Sequence, residues 1–466
     1  MNYKKINAEI IAELQLICGA KHVYQDADVL AHYAHDYTED LKFIPEVVVK
    51  PQTANQISDI MILANKYNIP VTPRAAGTGL SGGALPVFGG IILSCELLNK
   101  IIEIDTKNLQ ATVEPGVINQ VLRNEVEALG LFYPPDPASR GSCMMGGNLA
   151  ECAGGPKAVK YGVTKDYILN LEVVLPTGEI IWTGANVLKN STGYNITQLM
   201  IGSEGTLGVI TKIVVKLIPL PKFDLLLLVP FASPEKACEA VNAVFRAGIV
   251  PSAMEFMERD AITFTLKYVD AKFPITDDDK AHLIIEVDGN DMDVLMKDCE
   301  KISEIMYEHQ CLNVLFAETA QQKADLWKLR RSTGEAIKSH SIYKEEDTVV
   351  PRAHLPQLLS GVKAIGKKYG FNSVCYGHAG DGNLHVNIIK QELTDKDWNE
   401  KVPEGIKEIF NLCVSLGGTI SGEHGIGYVQ KNYLPIAFNS TQLNLQKGIK
   451  KLFDPNLILN PGKIFI

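Results

Sequence analysis

Two histidines, His378 and His385, stand seven residues apart in the stretch Gly377-His378-Ala379-Gly380-Asp381-Gly382-Asn383-Leu384-His385-Val386-Asn387. Further on, Glu423 and His424 are held between glycines in Ser421-Gly422-Glu423-His424-Gly425. Imidazole nitrogens with one carboxylate suit zinc, iron(II) or manganese(II). Three protein ligands (His378, His385 and Glu423) leave a coordination position open, as catalytic metals require and structural ones do not. His424, beside the third ligand, is then spare for proton transfer. The competing reading is that both histidines cap turns and bond to backbone. Three histidines and a glutamate, all near glycines, weigh against it.

The elements that must position these residues fall into two halves. In the first, strand and helix signals alternate: Glu46 to Lys50 reads as a strand, and Asn55 to Tyr67 as a helix with Ile57, Ile60, Met61 and Ala64 on one face. Ile69 to Thr72 is a strand entering a glycine-rich loop. Further strands follow at 90–94, 101–104 and 111–114, then a helix from Ile118 to Leu129 and a long loop rich in Pro and Gly. From Leu169 to Leu217 the pattern is again β, and Pro219-Leu220-Pro221 marks a boundary. The second half reads as α+β. Its strands at 225–229, 283–287 and 386–389 are separated by helices near Pro234–Arg246, Met292–His309 and Pro356–Tyr369.

Gly77-Thr78-Gly79-Leu80-Ser81-Gly82 satisfies the dinucleotide fingerprint G-x-G-x-x-G. That fingerprint works by starting a helix whose N-terminus faces the pyrophosphate. Here the chain continues through Pro86 and Gly89-Gly90 into a strand, so the Rossmann assignment is rejected. Backbone amides of such a loop can still cradle a diphosphate. Similar loops recur at Gly141 to Ala150 and Gly202 to Gly208. Single glycine clusters are usually tight turns; three in one domain favour an extended dinucleotide such as FAD.

Composition narrows the class. The 466 residues suggest two or three domains, and 46% hydrophobic with 21% charged residues describes an ordinary globular protein. A formal charge of -9, with 45 basic against 54 acidic residues, disfavours a nucleic-acid surface. No apolar run approaches a membrane span, and the N-terminus runs into an amphipathic helix pattern without a signal-peptide core. Nine dispersed cysteines read as free thiols in a reducing cytoplasm and lack iron–sulfur spacing.

The three loops together with the His-His and Glu-His motifs resemble the vanillyl-alcohol oxidase / p-cresol methylhydroxylase flavoproteins. The likeness is strongest to the branch of D-lactate dehydrogenases, the glycolate oxidase flavin subunit and D-2-hydroxyglutarate dehydrogenase, and runs from about Glu46 to Gly462. It implies an α+β protein: an N-terminal helical segment (1–42), a two-subdomain FAD-binding domain of the p-cresol methylhydroxylase type (43–221), an α+β cap domain with an antiparallel sheet and the metal site (222–452), and a tail (453–466) returning to the FAD domain. The resemblance implies that Pro73, Arg74, Ala75, Gly77, Thr78, Gly79, Ser81 and Gly82 wrap the pyrophosphate. It implies that Pro135, Asp136, Ser142, Gly146, Gly147, Asn148 and Gly155 line the cofactor, with Glu204 and Ile210 toward the adenosine end. Asn460 is either a turn residue or a flavin contact. Some members attach FAD through a histidine of the first loop; Ala75 and Ala76 stand here, so non-covalent FAD is expected. His378, His385 and Glu423 match the family's metal ligands, His424 its base, Asn387 a substrate-side polar group, and Arg330 the arginine that clamps the substrate carboxylate, with Arg331 adjacent.

The activity so implied is oxidation of a small D-2-hydroxy acid, D-lactate to pyruvate in first place, with glycolate and D-2-hydroxyglutarate as alternatives. A carboxylate and a neighbouring hydroxyl form a chelating pair for a metal, and an imidazole suits removal of the hydroxyl proton at neutral pH. A dicarboxylate needs a second fixed cation. Lys338 and Lys344 are the candidates, but the acidic run Glu345-Glu346-Asp347 sits close by. Electrons are expected to pass to a protein partner, an electron-transfer flavoprotein above an iron–sulfur subunit or a quinone. Two rivals are a non-catalytic flavin electron-transfer subunit and an oxidase using dioxygen on an alcohol or phenol.

Overall fold

The computed structural model describes residues 3–38, 41–271 and 273–465; the ends of the expected N-terminal segment and tail at residues 1–2 and 466, and residues 39–40, lie outside them. The chain forms two compact units, one of Met1–Gly154, Val163–Leu220 and Glu423–Ile466, the other of Gly155–Gly162 and Pro221–Gly422. The crossing between Leu220 and Pro221 lies in the Pro-Leu-Pro run. The chain re-enters the first unit at Glu423, so the expected tail from 453 is only the last part of this third segment.

The first unit contains two main sheets. One orders its strands Val23–Tyr24, Val47–Val49, Ile91–Ser94 and Val71–Arg74, the last three parallel. Parallel strands are covered on both faces, which is why Val47, Val48 and Val49 are all fully buried. The helix Ala54–Tyr67 lays Ile57, Ile60, Met61 and Ala64 into this core. Thr53 caps its start, accepting the Gln56 N–H, and Asn68 ends it in the left-handed region at φ 54°. The other sheet is antiparallel, ordered Ile101–Asp105, Gln110–Val113, Val209–Lys216, Ile168–Val174 and Ile180–Trp182.

Among the described residues no helix lies between Arg74 and Ile91, in agreement with the rejection of a Rossmann loop. The second glycine-rich stretch differs from expectation, because Met145–Glu151 is a helix. The Met145 N–H binds Val117 O at 2.9 Å and the Gly146 N–H binds Pro115 O at 2.8 Å. A Cβ on Gly146 would lie 2.7 Å from Pro115 Cβ, so glycine lets the first turn close directly on the neighbouring backbone.

The second unit is built on a seven-stranded sheet, antiparallel in every pairing: Leu315–Phe316, Phe223–Phe231, Ala281–Gly289, Ala253–Glu258, Asn372–Gly377, Asn383–Ile389 and Tyr343–Val349. Helices Arg259–Tyr268, Ala320–Arg331 and Thr333–His340 pack Ala261, Ile262, Leu326, Leu329 and Ile337 against Leu226, Leu228, Met257 and Ile284. The strands Ala253–Glu258 and Tyr343–Val349 went unread because charged residues interrupt their apolar pattern, and Asn372–Gly377 because it opens on polar Asn372 and Ser373 and ends on glycine. Among the described residues no helix is long and apolar enough to cross a membrane.

His282 is fully buried in this sheet, with Asp279 Oδ2 3.2 Å from its Nε2 and the Phe273 ring edge-on at 5.0 Å. Burial pulls its pKa down to about 4, against the opposing pull of Asp279. An unfolded-state histidine titrates near 6.5, so between these values the unfolded chain binds the extra proton. Stability from this group is intact above about pH 6.5 and falls as pH drops, by about 3 kcal/mol at pH 4 and below. His282→Gln should flatten that part of the acid limb in urea titrations at stepped pH. An identical slope in variant and parent would refute the assignment.

Candidate active site

In the first unit the three glycine-rich loops converge. The first leaves Val71–Arg74; Gly77 has φ 71°, and any Cβ there would collide with the Arg74 guanidinium. Arg74 is buried and stacks on Tyr33, its carbon centre 5.3 Å from the ring. The second loop reaches the first where Gly147 packs on Ala75, the position of a Cβ being 3.4 Å from Ala75 Cβ. The third is tied to the second by Gly202 N–H to Leu149 O at 2.9 Å and Glu204 N–H to Ala150 O at 2.8 Å. Thr78, Gly79 and Gly82 lie in the open turn that follows, Pro73 packs near Gly205, and Asn148 lies in the helix Met145–Glu151.

Asn460 joins these parts. Its Nδ2 donates to Gly83 O at 3.0 Å and Glu204 O at 2.8 Å, and its Oδ1 accepts from Lys463 Nζ at 3.0 Å. Its backbone sits at φ 44°, and its N–H binds Val71 O at 2.7 Å. The side-chain amide is thus engaged by protein and acts on the loops themselves. Asp136 is likewise engaged, by Arg140 at 2.8 Å and Arg123 at 3.5 Å. Pro135 O accepts from Asn119, exposed Ser142 bonds Ser139 O, Ile210 is partly exposed on Val209–Lys216, and Gly155 opens the short segment belonging to the second unit.

The buried Ser81 Oγ and Glu151 Oε2 have no hydrogen-bond partner among the described residues. Orphaned polar atoms on glycine loops, where main chain can approach closely, fit a dinucleotide cofactor. Burial and the nearby Glu204 carboxylate raise the Glu151 pKa, and burial lowers that of Lys463 against the pull of Asp36 and Glu204.

In the second unit the sheet register gathers the other residues. Asp347 lies opposite His385 and Glu345 opposite Asn387, while Tyr376 lies opposite both His385 and Met257. Opposed residues share a face, and Glu255, two residues from Met257, shares it too. Glu255 is fully buried; its carboxylate accepts a hydrogen bond from His378 Nδ1–H at 2.9 Å and pairs with Arg330 Nη2 at 2.6 Å. That bond fixes the neutral tautomer with its lone pair on Nε2, the form a metal ligand needs. The His378 and His385 rings stand edge to face with centroids 5.5 Å apart, and His385 Nδ1 is 3.5 Å from Glu345 and 3.8 Å from Asp347. Arg330 is buried over Tyr376 at 5.0 Å, whereas Arg331 stacks on Trp327 at 5.1 Å. Asn387 is fully buried, and neither polar atom of its amide has a partner among the described residues.

Asp347 also accepts from Gly422 N–H at 2.7 Å, Ser421 Oγ at 3.0 Å and Asn383 Nδ2 at 2.7 Å. It therefore anchors the chain one peptide before Glu423. Glu423 and His424 open the third segment of the first unit, where a Cβ on Gly154 would meet Glu423 Oε2 at 2.8 Å. The sequence reading missed Glu255, and it named Glu345 and Asp347 only as part of an acidic run, not as partners of His385. Its available signal was a lone acid inside the apolar Ala253-Met254-Glu255-Phe256 run, and acids at alternate positions of a strand.

The residues 45–184 match the family described as FAD binding domain, and residues 220–464 match FAD linked oxidases, C-terminal domain. The chain is 39% identical to "Glycolate oxidase subunit GlcD" of Bacillus subtilis (strain 168), over 93% of this chain and 92% of that protein. It is 37% identical to "D-lactate dehydrogenase" of Anaerostipes hadrus, over 99% and 98%. The fold is similar to that of p-cresol methylhydroxylase, with a TM-score of 0.81 at 17% identity over 98% of this chain and 96% of that one. The chain belongs to the FAD-linked oxidases with the p-cresol methylhydroxylase type of fold. Within them it is an FAD-linked oxidoreductase of the D-lactate, glycolate and D-2-hydroxyglutarate dehydrogenase group.

Asn460→Ala removes the two side-chain bonds that join the first and third loops, to Gly83 O and Glu204 O, together with the one from Lys463. It should cost about 1–3 kcal/mol in urea unfolding and speed loss of flavin on dialysis. A variant as stable and as flavin-retentive as the parent would show that the loops stand without it.

Proposed function

We propose that the protein oxidises D-lactate to pyruvate with non-covalently bound FAD and a divalent metal, iron(II), zinc or manganese, held by His378, His385 and Glu423. The observation that carries the reading is the sheet face bearing His378 and His385, on which two buried polar groups await partners. These are the Arg330 Nε–H and the Asn387 amide, neither bonded among the described residues. Orphaned donors beside paired imidazoles fit a small oxygen-rich acid. When bound, FAD supplies the electron acceptor and the metal supplies Lewis acidity. Arg330 holds the substrate carboxylate, retaining Glu255 on its Nη2 edge, and so orients the reacting carbon. Asn387 bonds a substrate oxygen. His424 takes the hydroxyl proton, and Glu255 keeps His378 in its ligating tautomer.

Support for a small monocarboxylate comes from the Tyr343–Val349 strand. Glu345 and Asp347 point to the His385 face, where they oppose a distal carboxylate; Lys344 alternates to the other face and lies 5.4 Å over Trp398. Lys338 is exposed on Thr333–His340. The acceptor is proposed to be a protein, an electron-transfer flavoprotein by preference, because the dispersed cysteines offer no second redox centre. The proposed setting is the cytoplasm, which suits those unpaired thiols.

Anaerobic flavin bleaching tests the reading. D-lactate should bleach the flavin with a higher specificity constant than glycolate or D-2-hydroxyglutarate, and L-lactate should fail; preference for D-2-hydroxyglutarate would sink the substrate. His385→Ala should lose metal and bleaching while retaining FAD, and full turnover by chelated, metal-free protein would reduce the motif to a staple. The loop Pro73–Gly83 has no histidine, so acid precipitation should release all flavin into the supernatant. Yellow colour in the washed pellet would contradict non-covalent binding.

A further inference from the structure

The residues that follow Glu423 and His424 are bonded one after another to the cofactor loops. Ile426 N–H donates to Glu204 Oε1 at 2.8 Å, and Gly427 N–H to Glu204 Oε2 at 2.6 Å. Tyr428 and Val429 N–H both bind Ser81 O, at 2.8 and 3.1 Å, and Gly427 O accepts from Ile464 N–H at 2.8 Å. Gly425, at φ 80°, has no room for a side chain: a Cβ would collide with Glu151 Oε2 and lie 3.0 Å from Glu204 Oε1. Glu204 is itself immobilised. It is buried, in the left-handed region at φ 51°, with its N–H on Ala150 O and its C=O on Asn460 Nδ2.

We propose that Glu204 is a positioning residue: it places the Glu423-His424 pair from the third cofactor loop and so couples the flavin cradle to the competence of the metal site. A carboxylate that receives two successive amides fixes both peptide planes, and His424 lies only two residues upstream of the first. The sequence reading assigned Glu204 to the cofactor. The structure divides its duties, backbone to the cradle and carboxylate to the turn behind the base. The proposal rests on Glu423 being a metal ligand.

The division makes the two duties separable. Glu204→Gln keeps size and backbone bonds but turns one amide-facing acceptor into a donor, which opposes an N–H. Metal-stripped holoenzyme is titrated with Co(II) by equilibrium dialysis, with the FAD-to-protein ratio measured in the same samples. The expected result is retained FAD with Co(II) bound about 10–100-fold more weakly, the range for loss of a partner that orients a ligand. Glu204→Asp keeps both oxygens but withdraws them by one methylene, and should give a smaller loss; it also serves if the glutamine variant fails to fold. Equal Co(II) affinity in the parent and in the folded variant overturns the positioning role alone. A parent holoenzyme that binds no Co(II) overturns the metal assignment and this proposal together.

Discussion

Glu255 sits in the middle of a β-strand with no solvent exposure, and a carboxylate in that position is tolerated only when it is paired and hydrogen-bonded. The strand delivers it between Arg330 and His378, so one buried anion sets the tautomer of an imidazole and the position of a guanidinium. Removing either partner would strand the charge; removing Glu255 would release both. The neighbouring strands follow the same requirement, since Glu345 and Asp347 bring carboxylates to His385. This polar face persists within a packed sheet because the surrounding Leu226, Leu228, Met257 and Ile284 exclude water.

The first unit meets a different constraint, the need to bring main chain from three loops to one place. Glycine makes the approach possible but cannot make it stable, because glycine has the most freedom to lose on folding. Stability comes from side chains distant in sequence. Asn460 bonds Gly83 and Glu204, and Lys463 bonds Leu85 and Asn460. Lys450, buried with Asp454, donates to Thr206 and Leu459. The C-terminal segment thus works as a clasp on loops that begin almost four hundred residues earlier.

Much of the fold was legible where periodicity is strong. The helix Pro234–Arg246 and the core of Phe223–Phe231 have unbroken apolar patterns. Reading failed at Met145–Glu151, where two glycines suggested loop and tertiary contact with Pro115 and Val117 made helix. It failed again at Tyr343–Val349, where Lys344, Glu345, Glu346 and Asp347 leave no apolar alternation to mark a strand. Their burial depends on His385 and Asn387 in another strand, which no local window contains.

What the amino-acid order determined by itself is the inventory of chemistry: paired histidines, a glutamate–histidine dipeptide, three glycine-rich loops and the absence of a histidine in the first. Residue type limits what each group can donate, ligate or titrate, whatever the fold. Only tertiary structure decided which groups act on one another. Glu255 became the partner of His378, Arg330 turned to the site while Arg331 turned to Trp327, and Glu204 lent its carboxylate to the turn after His424. The physical reason is that such bonds depend on strand register and loop closure over long sequence separations, and a shift of one residue in a strand would turn its side chains to the opposite face.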